Sequence, residues 1–172
     1  SEHVEKENLK LNYNLNNFLK NKKKIFGAIS THNSEEIFCA EIHKELKKTT
    51  NSLLTIIIPR HVERCEQIIA DLNKYKFKIH KHSSKKKIRK ETEIYLVDTF
   101  GETKSFLKKC SVVFLGGSLV ERGGQNPLEA ARFGCKVLHG PYISNFREVY
   151  DLLKKYQISY QIINKLNALR II

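Results

Sequence analysis

An α/β fold with helices on both faces of a Rossmann-like parallel sheet follows from three features of the 172-residue sequence. Short apolar runs of strand length alternate with stretches of helical periodicity along nearly the whole chain. The run Leu53–Ile58 reads as a buried strand ended by Pro59. Four glycine-rich or polar segments fall where a strand should stop and a helix begin, the place where such sheets bind ligands.

The elements follow in order. Residues 1–24 are polar and rich in Asn and Lys, with Leu11, Leu15 and Phe18 at helical spacing, and read as a linker or docking helix. Lys24–Ile29 is a strand. Asn33-Ser34-Glu35-Glu36 has the form of a capping box, with Asn33 accepting from a first-turn amide while Glu36 reaches back. The helix that follows places Phe38, Ile42 and Leu46 on one face, and Val62, Cys65, Ile69 and Leu72 mark another after Leu53–Ile58. Strands are predicted at Phe77–His80, Glu93–Val97 and Ser111–Leu115, the last two separated by a short helix from near Gly101. A helix over Asn126–Phe133, stopped by Gly134, precedes a strand at Lys136–Leu138, a helix over Asn145–Tyr156 and a last strand at Ile158–Ile163. The main domain is thus residues 25–163, and residues 164–172 read as a truncated tail.

Composition narrows the class. A chain of this size buries enough surface to fold without a staple, and the scattered cysteines (Cys39, Cys65, Cys110, Cys135) read as reduced core residues. No apolar run reaches the roughly 20 residues of a membrane span. Thirty-one Lys plus Arg against eighteen Asp plus Glu leave a formal charge of +13. Nine of the basic residues lie between Leu72 and Lys90 with no acid among them, and Asn8–Ser34 is also acid-free. Such blocks favour an anionic partner, although a solvated lysine-rich surface accounts for them equally well. The part from Ser83 to Lys90 falls in a connection and reads as a mobile, solvated loop.

The four segments are Ser30-Thr31-His32, Pro59-Arg60-His61, Asp98–Glu102 and the long run Gly116–Glu129. Glycine pairs let the backbone approach a ligand, and a helix start offers free amides to an anion. There is no P-loop and no Gly-x-Gly-x-x-Gly, and without Asp-x-Asp a metal bridging a diphosphate is disfavoured. His80 and His82 sit among lysines, a poor setting for a cation, and neither a metal nor a cofactor is expected. Each segment also has a purely structural explanation: Asn126-Pro127-x-Glu129 is a good helix start by itself, and Gly116-Gly117 could be a tight turn. Their coincidence at strand ends favours one shared site for an anionic ligand.

Together these residues resemble the C-terminal domain of the 3-deoxy-D-manno-octulosonic acid (Kdo) transferases of lipopolysaccharide synthesis. The similarity runs from Asn8-Leu9-Lys10 to about Tyr156. It includes Ser30-Thr31-His32 with Glu35-Glu36, Pro59-Arg60-His61-x-Glu63-Arg64, Asp98-Thr99-x-Gly101-Glu102, Gly116-Gly117-Ser118-Leu119-Val120-x-Arg122-Gly123-Gly124-x-Asn126-Pro127-Leu128-Glu129 and Gly140-Pro141-x-x-x-Asn145-Phe146. The resemblance implies one half of a GT-B glycosyltransferase, the half that holds the donor CMP-Kdo. It places Pro59, Arg60, Phe100, Gly101, Glu102, Asn126, Pro127, Leu128 and Glu129 around CMP, with Ser30, His32, Gly117, Ser118 and Gly124 as further donor-site candidates. Arg60 suits a phosphate, and Glu102 or Glu129 can accept from ribose or base donors. A leaving phosphate held by such donors needs no metal.

Phe100, Thr103 and Gln125 stand where the family usually has Met, Leu and His. The family's general base, which acts on the lipid A hydroxyl, belongs to an N-terminal acceptor domain outside this sequence, so no catalytic residue is assigned and an isolated donor domain inactive alone is expected. The resemblance implies a peripheral protein at the cytoplasmic face of the bacterial inner membrane, with CMP-Kdo, a lipid A precursor and an anionic membrane surface as partners. Two rivals are weaker. A basic nucleic-acid-binding module would need aromatic residues interleaved with the lysines, and Tyr75 and Phe77 are too few. A sugar-nucleotide epimerase-like enzyme does not account for the Arg122-Gly123-Gly124-x-Asn126 run.

Overall fold

The computed structural model describes residues 11–172, so the Asn8-Leu9-Lys10 junction and the first part of the 1–24 segment lie outside the described residues. Seven strands, all parallel, form one sheet: β1 (Lys24–Thr31), β2 (Leu53–Pro59), β3 (Ile79–Lys81), β4 (Ile94–Leu96), β5 (Val112–Leu115), β6 (Lys136–His139) and β7 (Ser159–Gln161). Their order is β3-β4-β2-β1-β5-β6-β7. The helices are α1 (Tyr13–Lys20), α2 (Glu35–Leu46), α3 (Cys65–Lys74), α4 (Thr103–Leu107), α5 (Leu128–Arg132), α6 (Arg147–Lys155) and α7 (Lys165–Ile171), with a 3-10 turn at Val62–Arg64 before α3.

Alternation along the strands explains why both faces need covering. Ile25 and Ile29 of β1, with Leu54, Ile56 and Ile58 of β2, face one layer together with α1 and α4. Phe26 and Ala28, with Leu53 and Ile57, face the layer of α2, α3 and α7. Strands buried on both faces read as continuous apolar runs, which is why 53–58 was legible. All four cysteines are buried and free.

Several local expectations change. The docking helix buries Leu15 and Leu19, with Leu11 just ahead of it, while Phe18 is only partly covered. Residues 164–172, read as a tail, form α7, capped by Asn164 Oδ1 accepting from Asn167 N, with Ala168 buried in the core. Helix α5 begins at Leu128 and is five residues long, and Gly134, at φ +79°, ends its turn as predicted. The basic connection 82–93 carries no helix, and it is tied at both ends. Ser83 bonds to Asp98, and the carbonyl of Lys90 accepts from Lys22 Nζ.

The topology fixes the place of a ligand. The chain leaves β1 toward β2 on one side and leaves β5 toward β6 on the other, so the order reverses between these neighbours. A crevice opens at such a reversal, at the carboxyl ends of the strands. The ends are drawn close: Gly116 N donates to the Ile29 carbonyl at 2.8 Å, and a Cβ at Gly116 would collide with the Ser30 backbone.

A buried histidine gives the fold an acid limit. His43 on α2 is 1% exposed, with Nδ1 2.8 Å from the Thr55 hydroxyl. Burial lowers its pKa to about 4, against which Glu93 pulls upward while Lys47 and Lys22 add to the lowering. The unfolded chain therefore takes up this proton near pH 6.5 and the folded chain only near 4. Stability is complete above pH 6.5 and falls by about 2–3 kcal/mol as the pH drops toward 4. Urea titrations across this range should show that slope in the wild type, and a flatter one in His43→Gln.

Candidate functional site

The β1–α2 turn is organised by two acidic side chains with separate tasks. Glu35, fully buried, accepts from four backbone amides: His32 N at 2.8 Å, Gly117 N at 2.8 Å, Ser118 N at 3.3 Å and Leu119 N at 3.1 Å. Glu36, 3% exposed, pairs with Arg64 at 2.5 Å, and Arg64 also reaches the Thr31 carbonyl. The expected capping box therefore does not form. Asn33 Oδ1 accepts only from Ser34 N among the described contacts, and Ser34 itself, at φ +77°, precedes α2 without a side-chain cap. Both carboxylates find partners across the sheet edge that are worth more in the interior than a helix cap.

Glu35 thus bridges β1 and the loop that follows β5. The same loop is fastened again downstream. Ser118 Oγ donates to the Leu115 carbonyl and accepts from Gly140 N, Gly124 N donates to the Gly117 carbonyl, and Tyr150 Oη donates to the Gln125 carbonyl at 2.6 Å. Gly123, at φ +81°, lies against the Asn145 side chain with no room for a Cβ. Asn145 and Tyr150 were not singled out as site supports by sequence. Asn145 lies inside the quoted Gly140–Phe146 motif, which was its only signal.

The predicted residues gather along the carboxyl edge in two groups. Arg60 N donates to the Thr31 carbonyl at 2.9 Å, which sets exposed Arg60 and buried Pro59 beside Ser30 and His32. The rings of His32 and His61 meet edge to face at 5.8 Å, and His32 lies next to Gly117. Burial, then Arg122, His61 and Arg64, hold His32 below the usual histidine range, with Glu36 acting the other way. Arg122 and Arg64 thus lie close enough to bear on the His32 ring, Arg64 while paired with Glu36, and Glu63 stands 3.9 Å from His61. Gly117, Ser118 and Gly124 are buried, and the amides of Gly117 and Ser118 are engaged by Glu35. Their part is to shape the loop.

The second group joins Phe100, Gly101 and Glu102 to Asn126–Glu129. Phe100 is 76% exposed and Gly101 has φ +84°. Lys104, in the first turn of α4, lies 3.7 Å from Glu129, connecting the two segments. Asn126 Oδ1 accepts from Leu128 N at 3.0 Å. With no N–H on Pro127, the start of α5 has fewer amides to give an anion than its sequence suggests. Glu129 turns toward Lys104 across to α4. Two cavities of about 850 Å3 each lie around the basic connection, and the second reaches His82, Tyr95 and Thr99 beside the turn that carries Glu102.

No family model matches the chain. It is similar to 3-deoxy-D-manno-octulosonic acid transferases from Haemophilus influenzae, 34% identical over 138 residues, and from Rickettsia bellii, 36% identical over 135 residues. These alignments cover 80% and 78% of this chain and 32% of each relative, so the chain spans about a third of the length of the curated relatives it matches. Among solved structures it is similar to the C-terminal CMP-Kdo binding domain of WaaA from Acinetobacter baumannii, with a TM-score of 0.81 and 27% identity over 90% of this chain and 80% of that one. The motif resemblance thus extends over about four fifths of the chain in sequence and nine tenths of it in fold.

Glu35 makes a testable demand on the site. In Glu35→Gln one oxygen is replaced by an NH2 that faces backbone donors, leaving amides of the β5 loop without an acceptor. Chemical denaturation should show a loss of about 3 kcal/mol. A loss under about 0.5 kcal/mol would mean that the loop holds its shape without the carboxylate.

Proposed function

We propose that the chain is the CMP-Kdo-binding half of an inverting GT-B glycosyltransferase that transfers Kdo to a lipid A precursor. The observation that carries this reading is the gathering of Arg60, Glu102 and Glu129 on one carboxyl edge, beside the β1/β5 reversal, in a chain similar to a CMP-Kdo binding domain.

In this reading the exposed Arg60 guanidinium takes the phosphate of CMP, with Arg122 near His32 at the same end of the site. Glu102 and Glu129 accept from ribose hydroxyls or base donors, and exposed Phe100 offers a face for the base. When the acceptor hydroxyl attacks the anomeric carbon, the bond to the phosphate oxygen breaks and the released CMP gains negative charge. Fixed cationic donors at that oxygen stabilise the transition state more than the ground state. The general base that removes the hydroxyl proton is assigned to the acceptor half of the relatives, and none of the described residues is given that role.

The basic block is proposed to serve the same reaction by seating the domain on an anionic membrane at the cytoplasmic face of the inner membrane. Lys85, Lys86, Lys87 and Lys90 are exposed and have no ion pair among the described residues. No described helix is long and apolar enough to cross a membrane.

Calorimetric titration tests the donor site. Wild type is expected to bind CMP. Arg60→Ala should weaken CMP by about 2 kcal/mol and spare cytidine, since its partner is the phosphate. Glu129→Gln should weaken both by roughly 1.5–3 kcal/mol with little change in Tm. Equal losses for CMP and cytidine in Arg60→Ala would refute the phosphate assignment. Vesicle sedimentation tests the membrane surface: adsorption should need anionic lipid, at about 1 kcal/mol per basic residue near the surface, and vanish in roughly 1 M salt. Equal binding to neutral vesicles would remove the electrostatic explanation.

A further inference from the structure

We infer that His82, just past edge strand β3, is a positioning residue for Glu102, holding the carboxylate that the donor site presents to the nucleotide. This rests on the reading of Glu102 as a nucleotide contact.

The turn that carries Glu102 has little packing of its own. Phe100 is 76% exposed, and nothing lies within 4 Å of where a Cβ on Gly101 would stand. Side-chain bonds therefore have to fix the carboxylate. Two converge on Oε2: His82 Nε2 at 2.8 Å and the Thr99 hydroxyl at 2.5 Å. His82 is itself held from several directions. Its backbone N donates to the Leu96 carbonyl at 2.9 Å, which extends the β3–β4 ladder by one residue. Its ring packs edge-on against Phe106 at 5.2 Å, and Nδ1 lies 2.6 Å from the Tyr95 hydroxyl.

The direction of this chain of bonds follows from Tyr95. Burial, then Glu102 and Asp98, push its hydroxyl well above the usual phenol range, so it remains an O–H donor. With Tyr95 donating to Nδ1, Nε2 carries the N–H and donates to Glu102. The next residue reinforces the arrangement: Ser83 N and Oγ both donate to Asp98, at 2.9 and 2.5 Å. Burial alone would raise the Asp98 carboxyl, and these bonds outweigh it and hold it below the usual carboxylate range. The start of the basic connection and the turn of the donor site are one hydrogen-bonded unit, which parallel neighbours β3 and β4 bring together although the two segments are 15 residues apart.

The test combines calorimetry with NMR of the histidine rings in the full chain. His82→Ala is expected to bind CMP about tenfold more weakly than wild type, and His82→Gln, which keeps an N–H donor, within about threefold. Because His82 acts through Glu102, His82→Ala/Glu102→Gln should bind no more weakly than Glu102→Gln alone. The His82 Nε2 resonance should move when CMP is added to wild type and stay still in Glu102→Gln. Wild-type affinity in His82→Ala, or losses that multiply in the double variant, would overturn the inference while leaving the donor site in place. Failure of wild type to bind CMP would overturn the donor-site reading and this inference with it.

Discussion

A carboxylate with no access to water shapes the whole carboxyl edge of this sheet. Glu35 sits at the start of α2 and accepts backbone amides from its own turn and from the loop after β5. An uncompensated charge buried there would cost several kcal/mol, so the loop can hardly leave without unfolding its surroundings. Four amides convert that cost into a constraint. The β5 loop, which would otherwise be a long irregular connection, is held against β1 at the point where strand order reverses.

The consequence is a division of labour between the two ends of the site. Near β1 and β2 Glu35 is turned inward onto amides and Glu36 onto Arg64, so Arg60, His61 and Arg122 outnumber the acids left toward solvent there, of which Glu63 lies 3.9 Å from His61. Near β4 and α5 the half-buried acids Glu102 and Glu129 are each steadied by a cation or an imidazole. One end suits a phosphate and the other suits hydroxyls and amines, as a nucleoside monophosphate requires. The curated relatives to which the chain is similar are Kdo transferases, and the alignments cover about a third of their length.

Much of this was legible in the sequence, for reasons that differ by element. The buried strands were readable because parallel strands covered on both faces tolerate little but apolar residues. Gly134 was readable because a residue at φ +79° is costly for anything with a Cβ. The roles of Glu35, Glu36 and Glu129 were not readable, because a local capping pattern is visible within four residues whereas their partners lie far away along the chain. Gly117 is 82 residues from Glu35, and Lys104 is 25 from Glu129. His82 was passed over for the same reason: its lysine-rich neighbours are close in sequence, and Tyr95 and Glu102 are close only in the sheet. Helix α7, four of whose seven residues are apolar, was read as a tail because it is short and its packing partner α2 lies far earlier in the chain.

The central claim is that the nucleotide is met by side chains on this edge, while the glycine-rich loop provides shape. Amide chemical-shift mapping of the isotopically labelled chain with CMP tests it directly. The account predicts shifts at Arg60, Gly101, Glu102 and Glu129, with the amides of Gly117, Ser118 and Leu119 unmoved because Glu35 holds them. Large shifts at those three amides, or shifts confined to residues 82–93, would contradict it.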